Sequence, residues 1–306
     1  MEKSFSAEVK DEICKSETLT WQAADLVLGF ALACSGNFSN SEISIKSSNQ
    51  EFVERLKSII DEYLNIDYEL NEQKTQTGII INDPAAIEKT QNFLFDLLSF
   101  NYVRGSISRD LSSFTEAEKW SLVRAAFLST GSIAEPKQNY QLEFSIRRKL
   151  VNRFFIELLE DLDVNFLLVS SQSSYDVLYI KNGDELAEFL VKLGATRAFL
   201  EFENIRVRKR VNEQVNRAIN CDTANIQRIA DSAARQINLI KKLNALGAYN
   251  NLPLNLREIA DLRLENPGLS LSELGNELTQ PIGKSGVYHR LARLEKWIEE
   301  YLLEHE

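Results

Sequence analysis

Leu26-Val-Leu-Gly-Phe-Ala-Leu-Ala-Cys-Ser-Gly36 and Ser121-Leu-Val-Arg-Ala-Ala-Phe-Leu-Ser-Thr-Gly131 are two similar apolar segments in a chain of 306 residues. Each has the apolar content of a buried helix, and each ends at a glycine, the residue that most often follows a helix. Small residues within them would let two such helices approach closely: Gly29, Ala33 and Gly36 in the first, and Ala125, Ala126 and Ser129 in the second. The pair therefore predicts two central helices that pack side by side.

The residues after each apolar segment repeat one order of elements: a strand of alternating apolar residues, a helix, a pair of short strands and a closing helix. In the first copy, about residues 18–100, these elements are predicted at 42–47, 51–64, 66–70 with 78–81, and 84–99. In the second copy, about 115–193, they are predicted at 140–147, 150–162, 164–169 with 176–180, and 184–193. Chance similarity of two α/β stretches is the alternative. Because all five elements match in order, we predict an α+β domain with internal pseudo-two-fold symmetry.

This duplicated αββαββα layout resembles the LAGLIDADG homing-endonuclease fold, in which two halves pack through their first helices. The family motif would fall on residues 28–36 and 123–131. Active members carry an acidic residue before each final glycine, and this pair holds divalent metal ions beside the scissile phosphate. Here the positions hold Ser35 and Thr130, whose hydroxyls are neutral, while Asp25 lies far up its helix and is matched by Trp120. We therefore expect a degenerate nuclease domain with no catalytic residues, no metal and no enzyme activity.

The last forty residues contain a predicted helix-turn-helix motif, at about 270–298. Ser270 and Glu273 form a capping box at the start of its first helix, and Pro281 and Gly283 end that helix. The inward positions are Leu271, Leu274 and Leu278 in the first helix and Val287, Leu291 and Leu294 in the second. The remaining positions of the second helix suit contact with base edges and phosphates: Lys284, Ser285, Tyr288, His289, Arg290 and Arg293. An ordinary αα-hairpin within a core is the alternative.

A basic segment connects the two regions. Its candidate phosphate contacts are Arg206, Arg208, Lys209 and Arg210. Alternation of arginines favours a strand here, whereas aliphatic residues at every fourth position from Val207 to Ile219 favour a helix, so periodicity leaves both open. A long helix is predicted after Asp222 and ends near Gly247. The alternative to phosphate contact is a solvated basic face.

Net charge is distributed unevenly along the chain. The net charge is −10 overall, but residues 1–203 carry −12 and residues 204–306 carry +2. Phosphate neutralisation supplies most non-specific affinity for DNA, so we expect the C-terminal third to contact DNA and the acidic part to meet a protein partner. No apolar run approaches the roughly 20 residues that span a membrane, which predicts a cytoplasmic protein. Cys14, Cys34 and Cys221 lie far apart in the sequence, and the chain has only two histidines, His289 and His305. Neither a zinc site nor another cofactor is therefore expected.

Four stretches are similar to the WhiA family of Gram-positive regulators: 4–12, 203–208, 215–225 and 284–291. The resemblance runs nearly end to end. It implies a degenerate homing-endonuclease domain (1–203), a basic linker with a long helix (204–247) and a helix-turn-helix domain like sigma-factor region 4 (248–306). It also implies a nucleoid-associated regulator of cell division, chromosome segregation and sporulation. We expect a monomer that binds double-stranded DNA. A scaffold that contacts a sigma factor or RNA polymerase is the alternative.

Overall fold

A computed structural model describes residues 3–16, 23–170 and 176–305. The chain forms two compact units, residues 1–209 and 210–306. The predicted start of the first repeat, residues 18–22, lies outside the described residues, as does the connection at 171–175. Within the described ranges, no helix has the length and apolar character needed to cross a membrane.

The first unit begins with helix α1 (Phe5–Lys15), which Ser4 caps. The first repeat follows as α2 (Ala24–Ser35), β1 (Asn37–Phe38), β2 (Ile43–Ser47), α3 (Gln50–Ile59), β3 (Glu69–Glu72), β4 (Thr77–Ile81) and α4 (Pro84–Leu98). A π-helical turn, Ile60–Leu64, extends α3. Every element predicted for this repeat is therefore present within the described residues.

The second repeat has the same elements. It consists of α5 (Glu116–Thr130), β7 (Gly131–Ile133), β8 (Leu142–Phe144), α6 (Lys149–Asp161), β9 (Leu167–Ser170), β10 (Asp176–Ile180) and α7 (Gly183–Leu193). A small hairpin of β5 (Phe100–Asn101) and β6 (Ser106–Ile107) joins the two repeats. The sequence did not predict this hairpin or the short strands β1 and β7, which are only two or three residues long.

The two sheets confirm the duplication. Their strand orders are β1-β2-β4-β3 and β7-β8-β10-β9, and all neighbours are antiparallel. Ile43 lies opposite Ile81 in the first sheet, as Leu142 lies opposite Ile180 in the second. All four side chains are buried. The same cross-strand pairs therefore build the core of both halves, as the alternating apolar residues predict.

Both β3 and β9 begin about three residues later than predicted. One or two residues after each preceding helical segment, a residue adopts a left-handed conformation, with φ of 44° at Asn65 and 55° at Asp163. The next residues, Ile66 and Val164, then pack against the core instead of joining a strand. This turn shifts the start of the strand in both repeats.

Helices α2 and α5 pack against each other at the centre of the first unit, which confirms the predicted contact between the repeats. Ten of the twelve residues of α2 are buried, as are nine of the fifteen residues of α5. One detail of the prediction is wrong. A Cβ atom on Gly29 would lie 2.6 Å from Leu97 Cδ2 and 3.7 Å from Leu94 Cδ2, so Gly29 makes room for α4 and not for α5.

Helix α8 (Thr196–Ala245) extends from the first unit into the second. Glu12 caps its start, with its carboxylate oxygens accepting from the backbone N–H groups of Arg197 (2.6 Å) and Ala198 (2.9 Å). The connecting segment is therefore helical and not a strand, and the predicted helix start after Asp222 is wrong because Asp222 lies in the middle of α8. The helix ends as predicted before Gly247, which has φ of +69°.

The second unit continues with a 3₁₀ turn (Tyr249–Asn251) and three helices: α9 (Leu254–Glu265), α10 (Leu271–Glu277) and α11 (Lys284–His305). Its core contains side chains from the end of α8, Ile240 and Leu243, together with residues of all three following helices. Ile226, in contrast, is 68% exposed, so the aliphatic residues in this part of α8 are fully buried only toward its C-terminal end.

Candidate nucleic-acid interface

Helices α10 and α11 form the predicted helix-turn-helix. Ser270 and Glu273 form the capping box, with the Ser270 N–H donating to Glu273 Oε2 (2.8 Å) and the Glu273 N–H donating to Ser270 Oγ (3.3 Å). The predicted inward side chains Leu274, Leu278, Val287, Leu291 and Leu294 are all buried, and Leu271 packs against the same core. Local sequence therefore sets both the start and the buried face of the motif.

The turn between α10 and α11 depends on Gly275. A Cβ atom at this position would lie 2.2 Å from the Ile282 carbonyl oxygen and 3.0 Å from Val287 Cγ2. The Ile282 N–H donates to the Gly275 carbonyl (3.1 Å), so the turn folds back directly onto α10. Only glycine permits this approach without movement of the turn.

Glu258 of α9 fixes the same turn from the other side. Its Oε1 accepts from the Thr279 N–H (2.8 Å), and its Oε2 lies 3.4 Å from Arg290 Nη1. The hydrogen bond from Thr279 is the main reason that the pKa of Glu258 lies below its ordinary value. Arg290 is half-buried in this ion pair, so its guanidinium joins α11 to α9 and is less available to DNA than predicted.

The first two turns of α11 present a polar, exposed surface. Lys284, Ser285 and His289 are exposed, and Tyr288 is 61% exposed although it is a large aromatic residue. The rings of Tyr288 and His289 lie 5.7 Å apart in an edge-to-face arrangement. Arg293 is exposed one turn further on. The predicted contacts of α11 other than Arg290 thus lie on one exposed surface, as contact with the major groove would require.

The four basic residues at the start of the connecting segment do not share one environment. Arg206 is 7% exposed, and its guanidinium donates to Glu203 and to Asp184. A buried guanidinium between two carboxylates is not free for a phosphate, so we do not retain Arg206 as a DNA contact. Arg208 and Arg210 are exposed and form no such buried ion pair among the described residues. Lys209 lies over the Tyr140 ring, with its Nζ 4.7 Å from the ring centroid.

In the first unit, Ser35 and Thr130 lie where the resemblance predicts the positions of nuclease carboxylates. Ser35 Oγ donates to the Ala31 carbonyl (3.1 Å), and Thr130 Oγ1 donates to the Ala126 carbonyl (2.9 Å). Each hydroxyl therefore bonds within its own helix. The pair offers no negative charge, and hard divalent cations require carboxylate oxygens for tight binding.

Cations contact the C-terminal ends of both central helices. Arg148 donates to the carbonyls of Ala33 (3.0 Å) and Gly36 at the end of α2. Lys10 Nζ donates to the Leu128 carbonyl (3.1 Å) near the end of α5. Positive side chains satisfy helix C-terminal carbonyls and oppose the approach of a metal ion.

Family models match both parts of the chain. The model of the WhiA LAGLIDADG-like domain matches residues 28–94 and 119–212, and that of the WhiA C-terminal HTH domain matches residues 215–298. The probable cell division protein WhiA of Clostridium tetani is 33% identical over 313 residues, covering 97% of this chain and 98% of that protein.

The chain belongs to the WhiA family. The probable cell division protein WhiA of Clostridium perfringens is 32% identical over 314 residues, with the same coverage of both chains. The crystal structure of full-length WhiA from Thermotoga maritima has a TM-score of 0.55 and 26% identity, covering 97% of this chain and 99% of that one. The WhiA fold, a LAGLIDADG-like α/β domain followed by a helical region with a helix-turn-helix, is therefore the fold of this protein.

Sequence reasoning missed two residues that shape the helix-turn-helix of this WhiA protein. Gly275 had a signal, since a glycine inside a short helical pattern marks a close approach. Glu258 had none, because it lies 21 residues before the backbone group that it caps, and only folding brings them together.

Proposed function

We propose that this chain is a sequence-specific DNA-binding regulator without nuclease activity, which acts on cell division at the nucleoid in the cytoplasm. The exposed polar surface at the start of α11 carries the proposal, because it holds donors and acceptors suited to base edges on a rigid, capped motif. The role in cell division follows the printed names of its relatives.

The chemistry of α2 and α5 supports the absence of nuclease activity. Two hydroxyls bonded within their helices, Ser35 and Thr130, replace the pair of carboxylates, and Lys10 and Arg148 supply positive charge at the same helix ends. A metal-dependent phosphodiester cleavage needs negative charge at this place to hold its cations.

A protein-binding scaffold is the second candidate, in which the helix-turn-helix or the acidic first unit contacts a sigma factor or RNA polymerase. The net charge of −12 in residues 1–203 favours it, because such a surface repels DNA. The two roles are compatible, since they use different parts of the chain.

Binding-site selection and a salt titration of DNA binding test the proposal. Ser285→Ala and His289→Ala should each reduce the discrimination between base pairs at a single position by about 1–3 kcal/mol. Arg293→Ala, in contrast, should weaken binding to all DNA sequences alike. Lys296→Ala, on an exposed turn further along α11, is the control. If both Ser285→Ala and His289→Ala keep the sequence preference of the parent, α11 does not read bases, and the protein-binding scaffold becomes the better-supported function.

Cleavage is tested separately. The parent protein, incubated with plasmid and with selected DNA in Mg²⁺ or Mn²⁺, should nick no more than a Ser35→Ala/Thr130→Ala double variant. Metal-dependent cleavage by the parent that is lost in the double variant would contradict the proposal.

A further inference from the structure

A groove in the second unit lies between the C-terminal half of α8 and the starts of α10 and α11. It has a volume of about 630 Å³. Four cations line it: Arg228 and Arg235 from α8, the buried Arg263 from α9, and Lys284 from α11. Ser272 and Tyr288 supply hydroxyls along the same groove. Lys284 and Tyr288 also belong to the exposed surface of α11, so groove and surface adjoin.

The groove has an excess of positive charge. Its carboxylate, Glu295, pairs with Arg235 (3.1 Å) and also accepts from Gln236 Nε2 (2.9 Å). Arg228 Nη1 donates to a neutral amide, Asn225 Oδ1, at 3.3 Å. Across the described ranges, neither Arg228 nor Lys284 forms an ion pair. Two exposed cations, Arg228 and Lys284, therefore remain for an anionic ligand.

Two buried polar residues lining the groove have unsatisfied atoms. Gln236 is 5% exposed and Arg263 is 1% exposed. Within the described part of the chain, Gln236 Oε1 and Arg263 Nε have no hydrogen-bond partner. Both atoms lie beneath the groove surface, so contact with a ligand falls to the exposed cations.

The arrangement of arginines along α8 favours a polymeric anion over a small one. Arg210 and Arg228 are eighteen residues apart, which is five turns at 3.6 residues per turn, and Arg217 and Arg235 have the same spacing. The two pairs are offset by seven residues, which is close to two turns, so all four arginines lie on about the same side of α8. Arg210 and Arg217 are exposed beyond the groove, so the cations form a row instead of a single pocket.

We infer that this groove binds the phosphodiester backbone of duplex DNA, with Arg228 and Lys284 contacting phosphates that flank the bases met by α11. The inference rests on the proposed function and adds α8 to the interface. Such contacts set the position of the recognition helix without reading sequence. They also release counterions, so each one contributes to the salt dependence of binding.

The test compares Arg228→Gln with the parent in the full-length chain, using a random-sequence duplex and a selected duplex over a range of salt. Arg228→Gln should lower the affinity for both duplexes by on the order of tenfold. It should also lower the slope of log Kd against log salt concentration by about 1. Arg228→Lys should restore the slope, because lysine keeps the charge. Lys296→Gln, which removes another exposed charge that lies outside the groove, should leave the slope unchanged.

The outcomes separate the groove from the proposed function. A parent-like slope in Arg228→Gln, with sequence preference still lost in His289→Ala, would overturn the groove alone. A parent that shows no salt-dependent DNA binding would overturn both. A third arm measures thermal stabilisation by inorganic phosphate at constant ionic strength. Stabilisation that Arg228→Gln loses, together with an unchanged DNA slope, would assign the groove to a free phosphate and overturn the inference.

Discussion

At the residue scale, the helix-turn-helix depends on one missing side chain. Gly275 lies against the Ile282 carbonyl, and the turn has no space for a methyl group there. Gly283 lies in the same turn, but among the described residues no atom comes within 4 Å of the place that its methyl group would take, and its φ is not left-handed. The two glycines therefore provide a matched pair for a test of packing.

Gly275→Ala should lower the free energy of unfolding of the second unit by about 1–3 kcal/mol, because the turn must move to admit the methyl group. Gly283→Ala should change it by less than about 0.5 kcal/mol. Native-state hydrogen exchange of the α10 and α11 amides would measure both effects within the full chain. Equal protection in the two variants would show that the turn tolerates a side chain at residue 275.

At the element scale, α2 and α5 carry cations from other elements at their C-terminal ends. Lys10 is the more informative, because burial lowers its pKa to about 8 from an ordinary value of 10.5. Between these pH values the unfolded chain binds more protons than the folded chain. The contribution of Lys10 to the free energy of unfolding therefore rises with pH across this window.

Lys10→Met should remove a rise of about 1–3 kcal/mol in the free energy of unfolding between about pH 8 and 10.5. Urea unfolding of the variant and the parent at several pH values gives this difference directly. The neighbouring Cys14, whose pKa burial raises to about 12 from 9.0, acts in the opposite direction in alkaline solution but is present in both proteins. Lys15→Met, which removes an exposed ion pair with Glu51, is the control and should retain the rise. An identical pH dependence in Lys10→Met would mean that the ammonium is well solvated.

At the scale of the whole molecule, the second unit is larger than the helix-turn-helix motif. Ile240 and Leu243 of α8, with Ala248 and Leu252, belong to its core. A fragment that starts at Pro253 lacks all four. The side chains of residues 211–223, in contrast, are all exposed, so the core does not use them.

A fragment of residues 210–306 should therefore unfold in one cooperative urea transition, and a fragment of residues 222–306 should have nearly the same stability. A fragment of residues 253–306 should lose about 4–9 kcal/mol, since it lacks three large aliphatic core residues and burial of each contributes about 1.5–3 kcal/mol. Far-ultraviolet circular dichroism during urea titration measures all three. Equal stability of the shortest fragment would show that the end of α8 is dispensable for the core.

Local sequence patterns were sufficient to predict which elements form. Apolar periodicity located the duplicated helices and paired strands, and the residues Ser270, Glu273, Pro281 and Gly283 located the helix-turn-helix. These features are local, because caps, breakers and alternation act within a few residues. The continuous helix α8 could not be settled in this way, since its arginines and valines fit two periods equally well.

Which charged side chains are free, in contrast, depends on tertiary contacts. Arg206 and Arg208 look alike in the sequence, yet Arg206 is buried between Asp184 and Glu203. Gly29 makes room for α4 and not for α5. Arg228 and Lys284 are 56 positions apart but line one groove. Pairing and packing depend on distance in space, and residues far apart in the chain acquire a common environment only when the fold brings them together.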